Sequence, residues 1–361
     1  VPYWYDDYND GTALEGVTFG KNWSPSGVIK DLRNWCGKFS TPTYLYGQSG
    51  FHPDGTMTHH LPHGASDVAM RAYGFEWAQE VNNCIRFFEN TPWPMENSDY
   101  QFFSDRIDYT YRKILYKQYL DYVVAGRSYY SPLAEFTTKN IKTAINELIA
   151  GKGPTTVITN ETELIDLNNN LQNNTHQHSE SVAFWNADYL VHRRENSEGN
   201  FYFSVKQKSL RTAGAEDFES IRKTWHAGSG VFQLKVDGQE YSQSVLKGYD
   251  WHTLPGVTEE WRTDAMPTGS ASDAGPGLNY FSGVLADGTN ATSAFIYIPT
   301  PIKVPTSGTK LDQLPQYASA EAYKSYHMIE KFGTAIGTNI ARHDPGQNKN
   351  IVTCIDQSRH D

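Results

Sequence analysis

Cysteine is scarce, with three residues in a chain of 361, Cys36, Cys84 and Cys354, set far apart. An odd count excludes a complete set of internal disulfides, and no two of them stand at metal-ligand spacing. No run is apolar and long enough to span a bilayer, and no signal peptide opens the sequence, so no membrane partner is expected. Positive charge is in deficit: 31 Lys and Arg against 41 Asp and Glu leave a net charge of −10. That balance argues against indiscriminate binding to nucleic acid, and an anionic substrate requires cations gathered locally. The motifs His-Glu-x-x-His, Gly-x-Ser-x-Gly and Gly-x-x-x-x-Gly-Lys-Ser/Thr are all missing, which removes the zinc-protease, serine-elbow and phosphate-loop readings. Two-carboxylate hydrolysis stays open because Asp and Glu are plentiful. No loop resembles a calcium motif; no cofactor is required, although the carboxylates suffice for a structural Ca or Mg ion.

What is present is size and aromatic content. The length allows two domains with substantial cores. Aromatics make up a high 14% of residues, the excess being mostly tyrosine (23) and tryptophan (9), which serve cores and also stack on sugar rings. Sequons at Asn22, Asn160, Asn173 and Asn290 arise readily in an asparagine-rich chain and fix no compartment.

The texture changes along the chain. Helical spacing and stop signals predict helices over 67–88, 98–126, 139–150 and 161–171. A polar tract over 168–180, with His176 and His178, reads as a linker, a metal-binding tract being the alternative. Beyond it, strands are predicted over 181–185, 189–192, 201–206, 231–236, 294–298 and 351–355, separated by turns such as Asp237-Gly238 and Asp287-Gly288. Helices followed by strands define an α+β chain, with a helical domain over 1–175 and an antiparallel β domain over 176–361. Strands are still forming where the sequence stops, and Val1-Pro2 is not a natural start, so a piece of a longer protein is expected.

The densest chemistry lies between Gly50 and Gly74. A Pro53-Asp54-Gly55-Thr56 turn is followed by His59, His60 and His63, then by Tyr73 on the next helix. Imidazole titrates near neutrality, and a phenol does so when its surroundings depress its pKa. The pair suits abstraction of a proton from carbon. A second cluster, Ala125-Gly126-Arg127, ends a predicted helix, where Arg127 either neutralises the helix C-terminus or grips a carboxylate or sulfate through a forked pair of hydrogen bonds. A third lies in the β half: Val191-His192-Arg193-Arg194, then Arg211-Thr212 through Glu216 to Glu219, then Thr224-Trp225-His226. Trp77, Trp185, Trp225 and Trp251 are candidate sugar platforms, with core packing the competing fate of each. Trp185 with Asn186 is the preferred one.

The order of these clusters resembles family 8 of the polysaccharide lyases, which includes chondroitin, hyaluronate and xanthan lyases. The Pro-Asp-Gly-Thr turn is similar to that of chondroitin ABC lyases. Gly248-Tyr249-Asp250-Trp251, Leu254-Pro255-Gly256-Val257-Thr258 and Tyr280-Phe281-Ser282-Gly283 extend the resemblance over most of the chain. The resemblance implies part of an (α/α) toroid followed by a β-sandwich, with further N- and C-terminal portions of the same protein as partners. It places the family's histidine on His60, with His63 a rival because the stretch before Tyr73 is long. The family's tyrosine falls on Tyr73, its arginine on Arg127 and its glutamate on Glu216. Glu219 stands where many members have asparagine, which puts that contact in doubt. Asn9 and Asn22 are the early candidates for the family's uronate-neutralising asparagine, neither in a convincing motif. His59, Trp185, Asn186, Arg193 and Glu219 are expected to line the substrate path.

The implied activity is β-elimination on a uronate-containing polysaccharide, a glycosaminoglycan such as chondroitin sulfate or hyaluronan, in a secreted or periplasmic protein. A non-catalytic carbohydrate-binding protein and a glycoside hydrolase on a helical toroid are the competing readings.

Overall fold

The structure, a computed structural model, describes residues 50–59, 67–68, 72–91, 95–125, 139–175, 179–196, 199–209, 212, 226–261, 263, 281–298, 320–342 and 350–359. It opens with a small antiparallel sheet of three short strands, β1 (Gly50–Phe51), β2 (Met57–His59) and β3 (Asp67–Val68). Helix α1 follows at Ala72–Phe88. It begins five residues later than its periodicity suggested. Asp67 and Val68 pair instead with His59 and Thr58, so their backbone groups are already committed to β2.

Helix α2 (Asn97–Arg106) starts on a capping box in which the Glu96 N–H donates to Asp99 Oδ2 at 3.0 Å. It widens into a π-helical run, Ile107–Tyr111, and closes with one α-turn, Arg112–Ile114. The single helix expected over 98–126 is therefore cut short. A tight hairpin follows, β4 (Leu115–Tyr116) with β5 (Tyr119–Leu120), and then a 3-10 turn, Tyr122–Val124. The hairpin wins because it docks: Tyr116 OH donates to the Val236 carbonyl at 2.8 Å, and Lys117 Nζ reaches Asp237 O at 3.0 Å. Tertiary contact overrides helical propensity here.

Helices α3 (Lys139–Gly151) and α4 (Glu161–Asn173) match the sequence pattern closely. Ile141, Ala144, Ile145 and Leu148 form the buried stripe of α3, and Leu164, Leu167 and Leu171 that of α4. Asn82 Nδ2 on α1 donates to the Ala144 carbonyl at 3.0 Å, fixing α1 on α3.

Among the described residues, the β half holds two four-stranded antiparallel sheets. The first runs β6 (Glu180–Phe184), β7 (Tyr189–Asn196), β8 (Gly199–Gln207), β9 (Ser229–Lys235). After a short pairing strand, β10 (Thr258–Glu260), the second runs β11 (Ser282–Ala286), β12 (Ala291–Tyr297), β13 (Ala320–Ile329), β14 (Phe332–Arg342). Strand β15 (Ile351–Thr353) pairs with β10. Leu190, Phe203 and Val205 of the first sheet pack against Phe295, Tyr297, Tyr326 and Met328 of the second, forming the sandwich core. Tyr189, Val191 and Tyr202 point the other way, into one continuous core with the helices. The first sheet is thus covered on both faces, which is why β7 is buried along Tyr189–Arg194 with no polar alternation.

Candidate active site

The Pro53-Asp54-Gly55 turn joins β1 to β2 and is held from three sides. Within the hairpin, the His52 N–H donates to Thr56 O at 2.8 Å and the Gly55 N–H to His52 O at 3.0 Å. From below, the π-helical run supplies Thr110 Oγ1, which donates to Gly55 O at 2.7 Å. Gly55 sits at φ +87°, and a Cβ there would lie 2.8 Å from Tyr109 Cδ1, so both conformation and space demand glycine. From the β half, the Asn186 N–H donates to Asp54 Oδ2 at 2.7 Å, while Asp54 Oδ1 accepts the Thr56 N–H at 3.0 Å. One buried carboxylate closes its own turn and ties it to the loop after β6.

His52, at the mouth of this hairpin, is buried, with Nε2 2.7 Å from Thr58 Oγ1. Burial lowers its pKa, partly opposed by the Asp54 carboxylate. It is a structural histidine. His59 is the last residue of β2 and pairs with Asp67 of β3. His60 and His63 fall in that stretch and lie outside the described residues.

Tyr73 is the second residue of α1. Its side chain, like that of His59, is outside what is described. Two residues on, the Phe75 ring packs 5.0 Å from that of Tyr111 and seats the start of α1 on the same π-helical run that carries the hairpin. The histidine-bearing strand and the tyrosine-bearing turn therefore share one support. π-Helical insertions recur at functional sites because they widen the helix locally and present extra side chains.

Arg127, Glu216 and Glu219 also lie outside the described residues, as do Asn9, Asn22 and Trp225. The chain leading to Arg127 is fixed as far as Ala125, which is buried. Asp121, just ahead, accepts from Tyr189 OH at 2.6 Å, Tyr202 OH at 3.2 Å and Ser204 Oγ, and is ion-paired with the buried Lys235. Tyr122 then packs edge-on against Tyr249 and Trp251. This explains part of the Gly248-Tyr249-Asp250-Trp251 motif: it walls the turn before Arg127, and Trp251 is a core residue rather than a sugar platform.

Arg193 is a correction. It is fully buried, ion-paired with Glu180, and donates to the carbonyls of Arg112 at 2.7 Å and Leu115 at 3.1 Å. Its place on the helix-facing side of a doubly covered sheet makes it a strut between the domains and unavailable to substrate. Trp185, by contrast, is 51% exposed beside Asn186. Among the described residues, no group of three or more His, Cys, Asp or Glu could hold a metal ion. Asp54 and Asp121 escaped the reading of the sequence. The Asx turn of Asp54 was signalled by Pro-Asp-Gly-Thr, whereas the partners of Asp121 are all more than 60 residues away.

Two family profiles match this architecture: the polysaccharide lyase family 8 N terminal alpha-helical domain over residues 40–187, and the family 8 super-sandwich domain over residues 179–361. The chain belongs to polysaccharide lyase family 8. It is 23% identical over 335 residues to Chondroitinase-AC of Pedobacter heparinus, an alignment that covers 87% of this chain and 40% of that protein. Its fold is similar to that of chondroitinase AC lyase solved in enzyme–oligosaccharide complexes, at TM-score 0.71 and 21% identity over 92% of this chain and 44% of the other. Chondroitin AC lyase of Streptomyces coelicolor A3, in complex with chondroitin sulphate, is similar at TM-score 0.66 and 17% identity, over 89% and 45%. Paenibacillus xanthan lyase is similar at TM-score 0.61 and 19% identity, over 88% and 30%. The chain spans less than half the length of these relatives. The turn pointed to the chondroitin ABC type; these relatives are of the AC and xanthan types.

Proposed function

We propose that this chain carries the reaction centre of a lyase that cleaves uronate-containing polysaccharide, a glycosaminoglycan such as chondroitin sulfate or hyaluronan, by β-elimination. The observation that supports the reading is the shared π-helical run, which touches the hairpin leading to the histidine segment at Gly55 through Thr110 and the start of the tyrosine helix at Phe75 through Tyr111, in a chain of this family.

The C5 proton of a uronate is too weakly acidic to leave unaided. The carboxylate charge must be masked, a base must take the proton, and an acid must protonate the departing glycosidic oxygen. In this reading His60, with His63 as the rival, masks the carboxylate and stabilises the enolate-like charge as it develops. Tyr73 takes the C5 proton, and the same phenol returns one to the leaving oxygen. Bringing a phenol from about 10 to near 7 requires about 4 kcal/mol of preferential stabilisation of the phenolate. The first turn of a 17-residue helix favours the anion by roughly 0.3–1 kcal/mol. That is too little alone, so Arg127 is assigned most of the remainder, and Glu216 the orientation of Arg127 or of the histidine. A substrate of this size is met outside the cytoplasm, which supports a secreted or periplasmic location.

Elimination leaves a conjugated double bond that absorbs in the ultraviolet; hydrolysis and simple binding leave none. The protein given chondroitin sulfate, hyaluronan and xanthan is expected to generate that absorbance on at least one. Tyr73→Phe is expected to lower the rate by about a hundred- to ten-thousandfold with substrate binding retained. Activity surviving that change removes Tyr73 from the mechanism.

A further inference from the structure

The Asp54 clamp joins the hairpin to the β half through the Asn186 N–H. On its far side lies the turn from Phe184 to Asp188, pinned at both ends: Ala187 N–H donates to Phe184 O at 3.1 Å and Gln207 N–H to Asp188 O at 2.8 Å. Phe184, Ala187 and Asp188 are fully buried. Trp185 alone among the turn's large side chains faces solvent, an apolar indole that burial elsewhere in the turn would lead one to expect inside. An exposed aromatic on a rigid turn loses little further freedom when a ligand covers it. The other flank of the hairpin tip is also aromatic. Tyr109 packs against Gly55, is 39% exposed, and carries the Lys113 ammonium 3.5 Å from its ring centroid.

We propose that the tip of the β1–β2 hairpin is an accessory saccharide subsite, with Trp185 as the platform for a pyranose ring, Lys113 as the contact for a uronate or sulfate, and Asp54 as the positioning residue that locks the platform to the hairpin. The inference rests on the lyase reading for its substrate class. The flat C–H face of a pyranose stacks on indole, and the Lys113 ammonium, on the opposite flank of the tip with Glu180 and Asp108 also acting on it, offers a cation to an acidic polymer that crosses the tip in a chain whose net charge is −10. From Thr56 at the tip to His59 is three residues of strand, about 10 Å. The subsite is therefore displaced from the reaction centre and engages a long chain rather than the sugar being cleaved.

The test uses the full-length protein with Trp185→Ala, Trp185→Phe, Asp54→Asn and the Asp54→Asn/Trp185→Ala double variant. Binding is read as retardation in gels containing chondroitin sulfate or hyaluronan, which needs no turnover; KM and kcat are read from ultraviolet absorbance. Trp185→Ala is expected to weaken retardation and raise KM for the polymer about three- to tenfold, with kcat moving less than about twofold. The KM effect shrinks as the oligosaccharide is shortened, and Trp185→Phe restores most of it. Asp54→Asn gives the same KM pattern, and the double variant is no worse than Trp185→Ala alone, because the clamp acts through the platform. Retardation and KM unaltered by Trp185→Ala, or effects of the two changes that add, overturn the subsite. Should Asp54→Asn fail to fold, the Ala and Phe variants of exposed Trp185 still decide. Trp185-dependent binding without unsaturated product keeps the subsite and removes the lyase reading. Cleavage indifferent to Trp185 does the reverse.

Discussion

His192 shows how an ionisable residue in a suggestive cluster becomes part of the framework. Its ring is buried between the sheets, with Nε2 2.6 Å from the Glu330 carbonyl and Nδ1 2.7 Å from Ser181 Oγ. Burial pulls its pKa down to about 4, the Glu330 carbonyl opposes, and neighbouring Arg194 adds to the fall. The folded value lies below the unfolded value of about 6.5, so between the two the unfolded chain holds more protons. The stabilisation is complete above about 6.5 and is lost as the pH falls from there toward 4. Melting temperature is expected to drop across that window, and His192→Gln to make the acid limb shallower, with some slope left because the His52 pKa is lowered too. An unchanged slope in the variant would assign the acid sensitivity elsewhere. Arg193, next along, carries the same lesson: His-Arg-Arg read as a substrate contact, and only the doubly covered sheet reveals that every second side chain of β7 points into the domain junction.

At the scale of elements, legibility followed locality. Helices α3 and α4 were readable because their apolar stripes and stop signals lie within 13 residues each. The break at Ile114 was not, because its cause, docking of the β4–β5 hairpin onto Val236 and Asp237, lies 120 residues away. Strands β13 and β14 were missed although β13 alternates buried and exposed residues, since their small and polar residues carry little hydrophobic signal. Of the site, the Pro-Asp-Gly turn was legible, while the short strands it joins and the π-helical cradle were not. The cradle makes its own prediction. Gly55→Ala puts a β-carbon at positive φ and against Tyr109, and is expected to cost about 2 kcal/mol in urea unfolding. Tyr109→Ala in the same chain relieves the clash but not the backbone strain, so it should recover only part of the loss. Full recovery would show that the conformation itself is free.

For the whole molecule, the question is whether a helical domain and a sandwich behave as two bodies or one. The junction is held by buried charge: Asp121 with Lys235, Tyr189, Tyr202 and Ser204, and Arg193 with Glu180 and two carbonyls of the helical side. Both sides also share one apolar core, from Ile85 and Leu148 through Tyr122 to Val231 and Trp251. An interface this apolar, with ion-paired struts inside it, couples the stabilities of its halves, unlike the polar, mobile interfaces common between domains. The expected behaviour is one cooperative transition in which helical circular dichroism and aromatic signals from the sandwich coincide. Asp121→Asn leaves the Lys235 ammonium buried without its counter-charge, a loss of about 3–5 kcal/mol. Because the lost energy sits between the halves rather than within either, the variant is expected to melt lower and its two signals to separate, with the helical one leading. Its active-site geometry should suffer as well, since the turn Tyr122–Val124 is anchored by the same carboxylate and precedes Arg127. If the variant's two curves stay coincident at the parental midpoint, Asp121 does not join the domains, and the coupling belongs to the apolar core alone.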